Sequence, residues 1–193
     1  NLNATRFGVT PETISIKVRE PGSAFTHGAG LLMTLIGAGP LLMRAQIYGS
    51  AITYASMWVF IVSMCILYGA STTYHTVVLN EKKTRILRKI DHMSICVLIA
   101  GTYTPICLTV LRGRTGYVLL GTIWAIALGG MIIKALWITC PKWFSSGLYI
   151  GMGWLCVMAF PALLSKLPPA AFAWLLTGGI IYTAGGIIYA LKL

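Results

Sequence analysis

The sequence predicts an all-α membrane protein, a polytopic bundle with six transmembrane helices in its 193 residues. Apolar residues make up 57% of the chain and charged residues only 10%, whereas a soluble domain carries about 25% charged residues. Six stretches also contain no Asp, Glu, Lys or Arg over about 20 residues, the length that crosses a bilayer core of about 30 Å. The net charge of +11 would suggest nucleic acid for a soluble protein. Because the basic residues lie between apolar stretches, we expect membrane lipids as partners and no nucleic acid.

The six predicted spans follow one another with short, mostly basic or turn-forming connections. In chain order they are residues 24–43, 51–74, 93–111, 115–133, 143–164 and 170–191. The second and third are joined by a predicted loop at 76–90, and the later connections are "RGR", "CPK" and "SKLPP". Pro105 and Pro161 predict kinks in the third and fifth spans. The chain therefore divides into an N-terminal segment, 1–22, and a single transmembrane bundle, 23–193.

The distribution of Lys and Arg predicts the orientation of the bundle. With the N-terminus in the cytoplasm, eleven of the fifteen basic residues face inside, five of them in the connection between the second and third spans. We therefore expect an integral protein of the plasma (inner) membrane with a cytoplasmic N-terminus. The basic run at 82–89 is most simply a determinant of this topology, and binding of anionic headgroups is a second interpretation.

Ionisable residues gather at the predicted cytoplasmic ends of the first three spans. His75 ends the second span, Ser71 lies one turn before it, and Asp91, the only aspartate, opens the third span. Glu20 and His27 stand at the start of the first span. Helix dipoles and the wet interface also favour such residues at helix ends, but their common depth favours a functional site. His92, beside Asp91, is interpreted first as a structural residue.

This cluster contains the residue types of a partial zinc site. Imidazole is a good zinc ligand, and a catalytic zinc usually has three protein ligands and a water. His75 is the candidate metal ligand, while Asp91 and Ser71 are the candidate catalytic residues, with the carboxylate oriented towards the water and the hydroxyl supporting it. His27, Glu20 and His92 are secondary candidates. The five cysteines form no CxxC pair and are interpreted as core residues.

Several short motifs resemble those of the hemolysin III family, which belongs to the progestin and adipoQ receptor superfamily. They are "STTYH" at 71–75, "IDH" at 90–92, "IAGTYTP" at 99–105 and "GMGW" at 151–154. The segment 20–30 resembles the first family motif, with Ser23 where asparagine is usual. The resemblance extends from about residue 18 to the end of the chain.

The resemblance implies seven helices and a zinc ion bound near the cytoplasmic face by His75 and two histidines of an HxxxH motif in the seventh helix. It also implies that Asp91 holds the water on zinc and that Ser71 lies beside the site. This chain contains no HxxxH motif, so we expect it to be a truncated form that lacks the seventh helix and that binds zinc only when complete.

The resemblance leaves three classes of function open. The similarity of its zinc site to that of alkaline ceramidases implies a zinc-dependent hydrolase of a lipid amide or related lipid at the cytoplasmic leaflet. The alternatives are a cytolytic, pore-forming protein and a receptor or regulator of membrane state with structural zinc. Nothing in the spans resembles a charged pore lining, and the oligomeric state is not indicated by the sequence.

Overall fold

The computed structural model describes residues 18–137 and 139–191, so most of the predicted N-terminal segment, 1–17, lies outside the described residues. Six helices in the described part are long and apolar enough to span a membrane, which confirms the predicted fold class. They are α1 (Pro21–Tyr48), α2 (Ala51–Thr76), α3 (Glu81–Leu111), α4 (Gly113–Leu136), α5 (Lys142–Lys166) and α6 (Pro169–Leu191).

Successive helices are antiparallel neighbours, with α1 against α2, α2 against α3, α3 against α4 and α5 against α6. This order places the start of α1, α3 and α5 and the end of α2, α4 and α6 at one end of the bundle, named here the His75 end. Helix α3 lies at the centre, because its Cys96, Ala100 and Cys107 are completely buried. By contrast, none of the residues of α6 is buried. The central position of α3 places Asp91 inside the bundle.

The third helix begins twelve residues before its predicted span. The residues 81–90 are helical, and only Val77–Asn80 connects α2 to α3. The Asn80 side chain caps the helix by accepting a hydrogen bond from the Lys83 N–H at 3.0 Å, and Glu81 occupies the first turn, where the helix dipole favours it. The predicted loop at 76–90 was therefore wrong over most of its length. Asp91 lies in the third turn of α3 and does not open the helix.

The hydrogen-bonding pattern of two helices changes beside their prolines. After Pro105, residues Ile106–Leu111 form a π-helix, and before Pro161, residues Leu155–Ala159 form a 3-10 helix. Proline lacks the N–H that continues the helical ladder, so the neighbouring turns must rearrange. At the second break, the Tyr103 hydroxyl of α3 lies 2.9 Å from the Met152 carbonyl, 2.7 Å from the Gly153 carbonyl and 2.9 Å from the Cys156 N–H. One side chain of α3 therefore binds three backbone groups of the broken turn of α5, and of these the Met152 carbonyl also accepts the Leu155 N–H.

Helices α2 and α3 approach each other closely at Gly101 and Ser63. A Cβ atom at Gly101 would lie 2.5 Å from the Ser63 Cβ and closer still to its Oγ. Ser63 is buried, and its hydroxyl donates to the Phe60 carbonyl of its own helix at 2.7 Å. Small residues at such a crossing let two membrane helices pack through their backbones.

We expect Gly101→Ala to lower the free energy of unfolding by about 1–3 kcal/mol, because the added methyl group overpacks this contact. The measurement is reversible unfolding in mixed micelles. The double variant Gly101→Ala, Ser63→Gly removes the opposing Cβ and Oγ and should recover most of the loss. Gly121→Ala is the matched control, since a Cβ at Gly121 has no atom within 4 Å. An equal loss of unfolding free energy in the single and double variants would show that the Gly101–Ser63 contact does not cause the destabilisation.

Candidate functional site

The start of α1 is attached to the end of α2 by backbone hydrogen bonds. The Glu20 N–H donates to the His75 carbonyl at 2.9 Å, and the Arg19 N–H donates to the Thr76 carbonyl at 3.3 Å. Pro21 stands at the first turn of α1, where its missing N–H costs nothing. The side chain of Glu20 is consequently held beside the last turn of α2.

Glu20 and His75 form a direct carboxylate–imidazole contact. The Glu20 Oε2 lies 2.7 Å from the His75 Nδ1, and the Arg19 Nη2 donates to the Glu20 Oε1 at 3.1 Å. The Arg19 guanidinium also lies 3.7 Å from the centre of the Tyr74 ring. Because the carboxylate accepts the Nδ1 proton, Nε2 is the nitrogen of His75 that can bind a metal.

The charge of Glu20 is maintained by this arrangement. Partial burial raises the pKa of Glu20, but the hydrogen bond with His75 and the nearby Arg19 outweigh burial, so that its pKa lies below the usual value. Glu20 is half exposed, at 49%, whereas the His75 side chain is 16% exposed. An ionised carboxylate at the rim of the bundle therefore orients a largely buried imidazole.

The second predicted histidine, His27, lies beside the first. The His27 and His75 rings are stacked, with centroids 5.5 Å apart and an interplanar angle of 14°. On its other side, the His27 ring is 6.2 Å from the Tyr68 ring. His27 lies two turns into α1, so the same approach of α1 to α2 positions both Glu20 and His27.

Asp91 completes the cluster from α3. Asp91 is 7% exposed and Ser71 is 3% exposed. The Ser71 hydroxyl lies beside the Asp91 carboxylate, and His75 and His27 lie close enough to interact with it electrostatically. The structure thus brings Glu20, His27, Ser71, His75 and Asp91 together at the His75 end.

His92 lies outside this cluster. Its carbonyl accepts a hydrogen bond from the Tyr149 hydroxyl of α5 at 3.0 Å, and Lys134 and Arg88 are the charged groups that act on its ring most strongly. Within the described residues, the buried His92 Nδ1 has no hydrogen-bond partner. His92 therefore lies where α3 meets α4 and α5, and within the described residues its ring makes no hydrogen bond or ring stacking with the cluster.

The residues present fit part of a zinc site. An imidazole held by a carboxylate is a usual zinc ligand, and a buried carboxylate with a hydroxyl beside it can orient a water. Among residues 18–137 and 139–191, no three His, Cys, Asp or Glu side chains are arranged to hold a metal ion. The described cluster therefore supplies one oriented nitrogen ligand and a carboxylate, and a complete site needs further ligands.

Sequence reasoning underestimated Glu20 and missed Lys134. Glu20 was placed at the correct depth, but its contact with His75 depends on which face of α1 meets α2. Lys134 was counted only as a topology determinant, yet it is completely buried against Cys140 and Ser145. A lysine directly after the predicted fourth span, with Cys140 and Ser145 following it in the sequence, was the signal available.

Comparison with known proteins gives a consistent result over nearly the whole chain. The sequence model of a family described as Haemolysin-III related matches residues 16–193. The "Hemolysin-3 homolog" of Bacillus subtilis (strain 168) is 42% identical over 174 residues, which cover 90% of this chain and 81% of the relative. "Hemolysin-3" of Bacillus cereus is 38% identical over 170 residues, covering 88% and 77%. This integral membrane protein belongs to the Haemolysin-III related family.

Proposed function

We propose that this haemolysin-III related membrane protein is a zinc-dependent hydrolase that acts on a lipid amide or a related lipid. The observation that carries the proposal is the 2.7 Å contact between Glu20 and His75 Nδ1, which leaves Nε2 oriented as a ligand. A histidine held in this way by a carboxylate is a recurrent feature of zinc sites. The buried Asp91 and Ser71 next to it add the groups that hydrolysis requires.

In this proposal His75 holds the metal through Nε2, and further ligands complete the site. Zinc, when bound, supplies a Lewis acid that polarises a carbonyl group and makes water a better nucleophile. Three protein ligands and one open position would suit that role.

Asp91 is the proposed catalytic residue. Its carboxylate accepts the proton of the attacking water and can return it to the leaving amine. Ser71 supports the carboxylate from α2, while Glu20 contacts the His75 ring at Nδ1 and His27 stacks on its face. Since α1, α2 and α3 each contribute at least one of these residues, the site depends on the packing of three helices.

The position of the cluster suits a lipid substrate. His75 lies in the last turn of α2 and Glu20 just before α1, so both lie at the ends of membrane-spanning helices, the level at which lipid headgroups meet the acyl chains. Amide-linked lipids carry their amide at this level. In this proposal the His75 end lies in the cytoplasmic leaflet, which the distribution of basic residues supports.

The test of the hydrolase is Asp91→Asn in the protein produced from its natural gene. We expect the variant to retain zinc but to hydrolyse a long-chain N-acyl sphingoid amide about 10²–10⁴-fold more slowly, because the proton acceptor is lost while the metal ligand remains. Zinc content and fatty acid release are measured on the same preparation. Thr73→Ala, an exposed change on α2, is the matched control.

If the zinc-loaded wild-type protein releases no fatty acid from such amides, the proposal that it is a lipid-amide hydrolase is wrong. Equal rates for wild type and Asp91→Asn would overturn the assigned role of Asp91. Loss of zinc from the Asn variant would instead show that Asp91 acts mainly in metal binding.

Membrane lysis is a second candidate, favoured by the names of the two relatives, which are called hemolysins. Dye release from liposomes that contain the purified protein tests it directly. Release that is unchanged in the Asp91→Asn variant would support lysis as an activity independent of the cluster, and retention of the dye would exclude it.

A further inference from the structure

Lys134 is a completely buried cation that the proposed hydrolase does not use. It lies in the last turn of α4 and is 0% exposed. Its Nζ donates to the Cys140 Sγ at 2.9 Å and to the Ser145 Oγ, and it lies 5.6 Å from the centre of the Tyr149 ring. A buried ammonium group is costly unless an anion compensates it. Within the described residues, no carboxylate lies within ion-pair distance of it.

Cys140 is the group in position to compensate Lys134. It lies in the connection between α4 and α5, and its Sγ is also 3.3 Å from the Ser145 Oγ. Burial raises the pKa of the Cys140 thiol, but the hydrogen bonds from Lys134 and Ser145 outweigh burial, so its pKa lies below the usual value. Tyr149 and Tyr189 are the other ionisable groups that interact with this sulfur. Lys134 is thus the cation that faces the thiol in the described structure.

We propose that Cys140 is a thiolate paired with Lys134 and Ser145, and that this thiolate is a site of oxidation by hydrogen peroxide. Cys140 is 9% exposed as a residue and lies between the exposed residues Thr139 and Pro141, so a reagent as small as peroxide can approach it. A thiolate with a neighbouring cation at the edge of a fold is the environment in which cysteines react.

The oxidation step is balanced without a further reagent. The Cys140 thiolate attacks one oxygen of hydrogen peroxide, an S–O bond forms, the O–O bond breaks and hydroxide leaves. The sulfur loses two electrons to the peroxide, and the hydroxide takes a proton from solvent to become water. The product is a neutral sulfenic acid on Cys140.

Oxidation removes the anion that compensates Lys134. The buried ammonium group then loses its charged partner, which favours separation of the end of α4 from the start of α5. The end of α4 also contacts α3, because the Lys89 Nζ donates to the Ala135 carbonyl at 2.5 Å. The modified residue therefore lies where three helices meet at the His75 end.

The test uses the purified protein in detergent, treated with hydrogen peroxide at pH 7 in the presence of dimedone and analysed by mass spectrometry of its peptides. We expect dimedone on Cys140. Lys134→Met, which keeps the length of the side chain but removes its charge, should reduce labelling about 10-fold or more, because an ordinary thiol with a pKa of about 8.5 is only about 3% ionised at pH 7. Ser145→Ala should reduce labelling less, since Lys134 remains.

A matched control separates ionisation from accessibility. In the variant Thr139→Cys, Cys140→Ser, an exposed thiol occupies the same connection away from Lys134. Its iodoacetamide reaction should slow about 50-fold between pH 8.5 and 6.5, as for an ordinary thiol, whereas Cys140 should slow less than 10-fold. Equal pH profiles for the two thiols would show that Cys140 is not a thiolate at neutral pH and would overturn the proposal. Absence of dimedone on Cys140 in the wild type, or unchanged labelling in Lys134→Met, would overturn the peroxide site.

Discussion

Replacing His75 with alanine should remove zinc from the protein produced from its natural gene. In the proposed site His75 provides a ligand through Nε2, and a site with three protein ligands does not retain zinc at micromolar concentration after losing one of them. We expect about one zinc per chain in the wild type and less than a tenth of that in His75→Ala. The measurement is elemental analysis of protein purified without added metal.

A substitution at Glu20 should weaken zinc binding without abolishing it. Because Glu20 accepts the Nδ1 proton of His75 at 2.7 Å, Glu20→Gln keeps the shape but weakens the orientation of the imidazole. We expect zinc affinity, measured by competition with a chelator, to fall about 10–100-fold. His92→Ala is the matched histidine control, since within the described residues the His92 Nδ1 makes no hydrogen bond with the cluster, and it should leave the affinity unchanged.

Three results would contradict this account. Absence of zinc from the wild type would remove the metallohydrolase altogether. Normal zinc content in His75→Ala would exclude His75 as a ligand. Normal zinc affinity in Glu20→Gln would mean that the 2.7 Å contact between Glu20 and His75 only joins α1 to α2 and does not orient a ligand. In that last case His75 could still bind zinc, but its orientation would come from the stacking with His27.

Hydropathy predicted the six spans well because the cost of placing charge in lipid determines where an apolar stretch begins and ends. The same reasoning misplaced the start of α3. Residues 81–90 carry five basic side chains, yet they are helical because Asn80 caps the helix and Lys, Arg and Leu favour it. Hydropathy locates the boundary of the lipid-embedded stretch, and it does not detect a helix that continues beyond that boundary into water.

The depth of the candidate residues was predictable, and their contacts were not. Glu20, His27, His75 and Asp91 share one depth because each lies near the end of an apolar stretch. Whether they meet depends on the rotation of α1, α2 and α3 about their axes, which weakly amphipathic helices do not encode in their hydrophobic pattern. Lys134 illustrates the converse, since a lysine beside a span boundary suggests exposure, whereas Cys140 and Ser145 surround its amine.

Replacing Tyr103 with phenylalanine should lower the free energy of unfolding by about 1–3 kcal/mol. The Tyr103 hydroxyl donates to the Met152 or Gly153 carbonyl and accepts from the Cys156 N–H. The Met152 carbonyl keeps the Leu155 N–H as a partner, so the variant chiefly leaves the Cys156 N–H of α5 without one, at a cost of about 1–3 kcal/mol. Water cannot replace the hydroxyl within the apolar part of the bundle. Reversible unfolding in mixed micelles, followed by circular dichroism, measures the change.

The matched control is Tyr117→Phe, because Tyr117 is 60% exposed and its hydroxyl can be hydrated; this change should be close to neutral.

The 3-10 segment Leu155–Ala159 provides the mechanistic test. If proline alone determines the break in α5, Pro161→Ala should restore a continuous helix and make the Tyr103 hydroxyl dispensable, so that Tyr103→Phe costs little in the Pro161→Ala background. An undiminished cost in that background would mean that Tyr103 stabilises the break independently of Pro161. A neutral Tyr103→Phe in the wild type would mean that the backbone groups of α5 find partners without it.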